Sequence, residues 1–100
     1  MIFKTEEELK IALRTAAQTE MLLSQDGSVP AFVLPEDIAT MRYVLDTLMS
    51  QIKDLRTRRI IWLRSQGLCW KTVAKEVGLT ESQAKRVFRL SMSLMIAKRL

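Results

Sequence analysis

The chain has no histidine, one cysteine, two prolines and three glycines in 100 residues. Without histidine, the commonest general base near neutral pH and the commonest metal ligand are both missing. The single thiol, Cys69, can form no internal disulfide, which fits a reducing compartment. With no histidine to activate it, Cys69 is a poor nucleophile and reads as a buried or helix-capping thiol. No Gly-rich phosphate loop occurs, so nucleotide hydrolysis has no basis in the sequence. Apolar runs such as Ile60-Ile61-Trp62-Leu63 are only a few residues long, far too short to span a bilayer. Met1-Ile2-Phe3-Lys4-Thr5 leads straight into Glu6-Glu7-Glu8, which no secretory signal would tolerate. These absences argue against an enzyme, a cofactor or metal protein, and a membrane protein. The expected location is the cytoplasm, in contact with the nucleoid.

So few glycines and prolines leave room for few turns, and long helices follow. The apolar fraction of 48% is ordinary for a globular chain and too high for disorder. A chain of this length makes one domain, or a small domain plus an arm, and dimerisation would help so modest a core. Charge divides the chain in two. Residues 1–54 hold five Lys/Arg (Lys4, Lys10, Arg14, Arg42, Lys53) against nine Asp/Glu, whereas residues 55–100 hold eleven Lys/Arg against only Glu76 and Glu81. An acidic segment for packing or oligomerisation and a basic binding region, together one compact unit, is the expected organisation. A polyanion is the natural partner of the basic half, because each phosphate it neutralises releases counterions.

Five helices are predicted. Thr5-Glu6-Glu7-Glu8 has the form of a capping box, and Leu9, Leu13, Ala16, Ala17 and Leu23 give the first helix its apolar face. Gln25-Asp26-Gly27-Ser28 stops that helix, and Val29 to Leu34 forms an apolar connector. Pro35-Glu36-Asp37 opens a second helix, in which Ile38, Met41, Leu45, Leu48, Met49, Ile52 and Leu55 recur at three- and four-residue steps. The breadth of that stripe predicts a homodimer surface; the alternative is that the first helix and the 29–34 connector bury it within one monomer. A third helix runs from about Leu55 to Gln66 between an Asp54 cap and Gly67, with Ile60, Ile61, Trp62 and Leu63 buried. A fourth covers about Trp70 to Val77 and ends at Gly78, and a fifth starts at Thr80.

The last two helices carry the functional signal. Ala74 is small enough for a close helix crossing, Gly78 tolerates the positive φ of a tight turn, and Leu79 tucks inward after it. Thr80-Glu81-Ser82-Gln83 is a second capping box, and Ala84, Val87 and Phe88 form the buried face beyond it. Glu81, Ser82, Lys85, Arg86 and Arg89 are then expected on the opposite side, as the exposed face of a recognition helix. There, Arg and Lys can pair with guanine, Gln83 with adenine, and Ser82 with a base or a phosphate. Arg56, Arg58, Arg59, Lys71, Lys75 and Thr80 are placed to hold the phosphate backbone. Trp62 and Trp70 read as core and hinge packing.

The same stretch carries a resemblance. Arg59-Ile60-Ile61-Trp62-Leu63-Arg64, Gly67, Trp70-Lys71, Gly78 and Ala97-Lys98-Arg99-Leu100 make residues 58–100 resemble the helix-turn-helix of sigma-70 region 4. They are still more similar to a family of small prophage-type proteins of unknown function that share that fold, and Met41 to Leu48 resembles the preceding helix of those proteins. Members of that family tend to carry an Arg near the positions of Glu81 or Ser82, which this chain lacks. The resemblance implies a bacterial or phage regulator with no catalytic activity. The expectation is therefore an all-α chain that binds double-stranded DNA sequence-specifically through a C-terminal helix-turn-helix. The alternative is an assembly or adaptor protein, such as a small-terminase-like DNA-recognition subunit or a factor that touches RNA polymerase through residues 1–54.

Overall fold

In the computed structural model, residues 3–24 and 33–97 are described, and every regular element among them is helical. Five α-helices follow in order: α1 (Glu6–Ser24), α2 (Pro35–Tyr43), α3 (Leu55–Ser65), α4 (Trp70–Val77) and α5 (Glu81–Ala97). The all-α, five-helix expectation holds. The predicted stop at residues 25–28, most of the connector and the chain end from Lys98 lie outside the described residues. No described helix is long and apolar enough to cross a membrane.

At the start of α1, the Glu8 N–H donates to Thr5 Oγ1 at 3.2 Å, as the capping box requires. The return bond is displaced by one residue: the Glu8 carboxylate accepts from the Lys4 N–H at 2.8 Å. Leu9, Ala12, Leu13, Ala16 and Ala17 are buried along one face, and α1 packs on α2, α3 and α5. Phe3 reaches the end of α2, its ring centroid 6.0 Å from that of Tyr43.

The second helix departs from expectation. Regular α geometry ends at Tyr43, and Val44–Leu48 form a π-helical turn in which the Met49 N–H bonds to the Val44 carbonyl. A single 3₁₀ turn, Met49–Gln51, follows. A π turn uses more residues per revolution than an α turn, so it rotates the phase of everything after it. Val44, Leu48 and Met49 are in the core, while Leu45 is 38% exposed and α2 itself contributes no buried residue. Leu55, counted as the last member of the stripe, is 74% exposed at the first position of α3. The broad apolar face predicted from Ile38 to Leu55 does not exist as one surface, and Met49 belongs to the core.

Asp54 caps α3 as predicted, its Oδ2 accepting from the Thr57 hydroxyl (2.6 Å) and the Thr57 N–H (3.2 Å). Those two bonds, the hydroxyl first, hold the Asp54 carboxyl below its ordinary pKa. Ile60 and Ile61 are completely buried, whereas Trp62 and Leu63, expected to be buried beside them, only pack partly against the core. Buried Ser65 satisfies its hydroxyl on the Ile61 carbonyl at 2.6 Å. The helices α3, α4 and α5 pack on one another, and α1 lies across α3 and α5.

Between α4 and α5 the turn has the predicted form. Gly78 sits at φ 72°, ψ 33°, in the left-handed region, and the Leu79 N–H returns to the Ala74 carbonyl at 3.0 Å. Ala74 and Ala84 are buried, and Leu79 and Val87 pack partly against the core. A Cβ built on Gly78 would meet nothing within 4 Å, so a side chain there is penalised by backbone conformation alone. Gly78→Val should therefore lower unfolding stability by about 1–3 kcal/mol through strain. Gly78→Asn should cost distinctly less, because Asn visits the left-handed region more readily. Urea denaturation of the two variants checks this; equal losses would point to a steric cause instead.

Candidate nucleic-acid interface

The exposed side of α5 is set by its buried side. Ala84, Phe88, Ser91, Met92 and Met95 face inward, with the Ser91 hydroxyl satisfied on the Val87 carbonyl at 2.8 Å. At about 100° per residue, Arg86 lies about 160° from Ala84 and Arg89 about 140°, but Lys85 only about 100°. Ser82, Gln83, Arg86 and Arg89 are accordingly exposed, and Lys85 is half-buried on the flank of the helix. Lys85 is thus not opposite Ala84, as the sequence predicts, but beside the core. Glu81 is exposed in the first turn. The capping box engages Gln83: its Oε1 accepts from the Thr80 N–H (3.0 Å), and its own N–H donates to Thr80 Oγ1 (3.1 Å). A Gln83 side chain held in this way is not free to reach a base.

Apart from Thr80, whose hydroxyl caps α5, the residues assigned to phosphate separate into two groups. Arg56, Lys71 and Lys75 are exposed, and none of them forms an ion pair among the described residues. Arg58 is half-buried and donates its Nε–H to the Ile52 carbonyl, so it closes the loop into α3. Arg59 pairs with Glu76 at 3.4 Å and links α3 to α4. A surface pair of this kind contributes about 1 kcal/mol at most.

An aromatic stack sets the angle between these helices. Trp70, at the start of α4, meets Phe88 of α5 edge-on, with ring centroids 5.3 Å apart and planes at 75°. The Arg64 guanidinium lies 4.9 Å from the Trp70 ring centroid and donates to the Leu68 carbonyl at 2.9 Å. One end each of α3 and α4 is thereby joined to the middle of α5, which agrees with the hinge-packing role expected for Trp70.

Beside the stack is a groove of about 580 Å³ between α1 and α5. Glu6, Glu7, Lys10 and Arg14 line it from α1, and Lys85 and Arg89 from α5. No sequence signal marks Lys10 and Arg14 as partners of the α5 cations, because only the packing of α1 on α5 brings them together.

Comparison with known proteins adds one finding. The profile of a family described as a domain of unknown function (DUF6362) matches residues 14–95. The chain belongs to that family. Neither the curated proteins nor the solved structures provide a match. The stretch covered by the DUF6362 profile takes in α2 through most of α5, and with them the left-handed turn at Gly78.

Among the described residues of this DUF6362 chain, no group of three or more His, Cys, Asp or Glu side chains is gathered to hold a metal ion. Cys69 is exposed at the N-cap of α4, with Sγ 3.3 Å from the Thr72 hydroxyl. The thiol is therefore not buried; it occupies the N-cap position but its sulfur makes no capping bond to the backbone of α4. The Thr72 hydroxyl, and after it the Thr72 N–H, draw the thiol pKa below its ordinary value by stabilising the thiolate. Alkylation of Cys69 by iodoacetamide should therefore reach half its maximal rate at a lower pH than a cysteine in an unstructured peptide does, and Thr72→Val should move that midpoint upward. A midpoint unchanged by Thr72→Val would remove the assigned cause.

Proposed function

We propose that this chain binds duplex DNA through α4, the Gly78 turn and α5 acting together as a helix-turn-helix, in a non-enzymatic regulator of phage or prophage type. The observation that carries this reading is the open face of α5. Directly after a left-handed turn and a capped first turn, it presents Ser82, Arg86 and Arg89 to solvent, with no ion pair to any described acid. Desolvating a guanidinium already paired within the protein would cost much of what a guanine returns; unpaired Arg86 carries no such debt. Arg86, at the centre of the face, is the base-reading residue, with a guanine edge as its target and Ser82 beside it. Arg56, Lys71 and Lys75 supply phosphate contacts, and the excess of positive charge in residues 55–100 steers the approach. The resemblance of residues 58–100 to sigma-70 region 4 agrees with this assignment.

One copy offers one recognition helix, so a homodimer reading two half-sites belongs to the proposal. The face between Ile38 and Leu55 is a poor seat for that dimer, since Leu48 and Met49 lie in the core. Leu90 and Leu94, four residues apart on α5, are 57% and 58% exposed and supply a better one. The same pair favours the second reading, an assembly or adaptor protein whose apolar edge meets another chain. If Leu90 and Leu94 hold a homodimer, Leu90→Glu with Leu94→Glu should yield a monomer in sedimentation or light scattering while helicity is kept.

The DNA reading is tested by Lys85→Ala, Arg86→Ala and Arg89→Ala, combined and singly, against duplex fragments selected by genome-wide pulldown. Helicity should be unchanged and binding weakened. Arg86→Ala alone should cost about 1–3 kcal/mol and relax preference at one base position. A triple variant that binds as well as the parent protein would overturn the helix-turn-helix assignment.

A further inference from the structure

We infer that α1 is itself part of the DNA-binding surface, with Lys10 and Arg14 gripping the phosphate strand that runs along the Lys85–Arg89 flank of α5. This rests on the duplex-DNA reading and extends it to a segment that charge alone assigns to other tasks. Lys85 lies on the flank of the exposed face, Arg89 lies between it and Arg86, and both line one wall of the 580 Å³ groove, across from α1. When a recognition helix lies in a major groove, its flanks face the phosphate backbones that border that groove, while its centre faces the bases. The strand beside the Lys85–Arg89 flank therefore passes the opposite wall, where Lys10 and Arg14 lie one helical turn apart on α1.

Charge supports the same partner. Lys85, Arg89 and Arg14 form no ion pair among the described residues, although Glu6 and Glu7 line the same groove. Lys10 makes only a loose pair with Glu7, at 3.8 Å, with the Glu7 side chain 80% exposed and that of Lys10 41%. With Arg64 of α3, these make five cations around one groove; they repel one another in the free protein, and a polyanion relieves that repulsion. Glu6 and Glu7 have the opposite effect: they border the strand's path and oppose its approach. A duplex is too wide to enter the groove, so the contact is made by the rim, at successive phosphates.

The two signs on one helix give a test with opposed outcomes. Binding of the full chain to a fluorescein-labelled duplex is followed by anisotropy across a salt series. Lys10→Gln with Arg14→Gln should weaken binding on the order of tenfold near physiological salt and reduce the slope of log K against log salt by about 2. The loss should be equal for specific and random duplexes, since phosphates carry no sequence. Glu6→Gln with Glu7→Gln should tighten binding. Thermal melts confirm that the variants fold, and Arg14→Gln alone, at an exposed position, serves if the double variant does not. Unchanged affinity and slope in the Lys10/Arg14 variant, with binding still lost in Arg86→Ala, would overturn the role of α1 and leave the helix-turn-helix reading standing. Unchanged binding in both variants would overturn the two together.

Discussion

Burial of Ile60 and Ile61 at adjacent positions organises the rest of the molecule. Neighbouring residues of a helix point about 100° apart, so burying both requires cover over a wide arc of α3. Helices α4 and α5 supply part of that cover and α1 the rest. The other contacts are small beside it. Truncating one such isoleucine would remove about 2–5 kcal/mol, against about 1 kcal/mol at most for the Arg59–Glu76 pair. Because α3 is wrapped in this way, α1 cannot swing free as an arm. It is held against the basic half, and the groove between α1 and α5 follows from that constraint.

The stack of Arg64 on Trp70 and of Trp70 on Phe88 refines what the isoleucines begin. Apolar burial has no direction, whereas a T-shaped ring pair and a planar guanidinium have preferred geometries. The stack therefore fixes how α4 and α5 cross, and with it the direction in which Arg86 projects. Two satisfied helix starts, Asp54 with Thr57 and Thr80 with Gln83, fix where α3 and α5 begin, so the phase of each exposed face is determined from its first residue.

Much of this was legible from local chemistry. The Thr5, Asp54 and Thr80 caps, the stop at Gly67 and the left-handed Gly78 all depend on interactions within a few residues, and each was found where the sequence predicts it. Leu45 was misplaced because a uniform period of 3.6 was carried into Val44–Leu48, where the helix widens, and Leu55 because the helix ends at Gln51 and Leu55 opens α3 beyond extended residues. Lys85 was set opposite Ala84 by helical periodicity, although one residue along a helix turns only about 100°; its half-burial reflects how far the core extends around α5.

The sequence by itself determined what short-range forces control: helical content, helix ends, the turn at Gly78 and the division of charge between the two halves. Backbone hydrogen bonds, caps and glycine conformation act over one or two turns, so their signatures lie in contiguous residues. Only the tertiary structure decided that Met49 is interior, that Arg58 and Arg59 are engaged within the protein, and that Lys10 and Arg14 share a groove with Lys85 and Arg89. Each of those outcomes depends on which helix lies against which, and that is set by the summed burial of residues far apart in the chain, to which no single stretch of sequence holds the key.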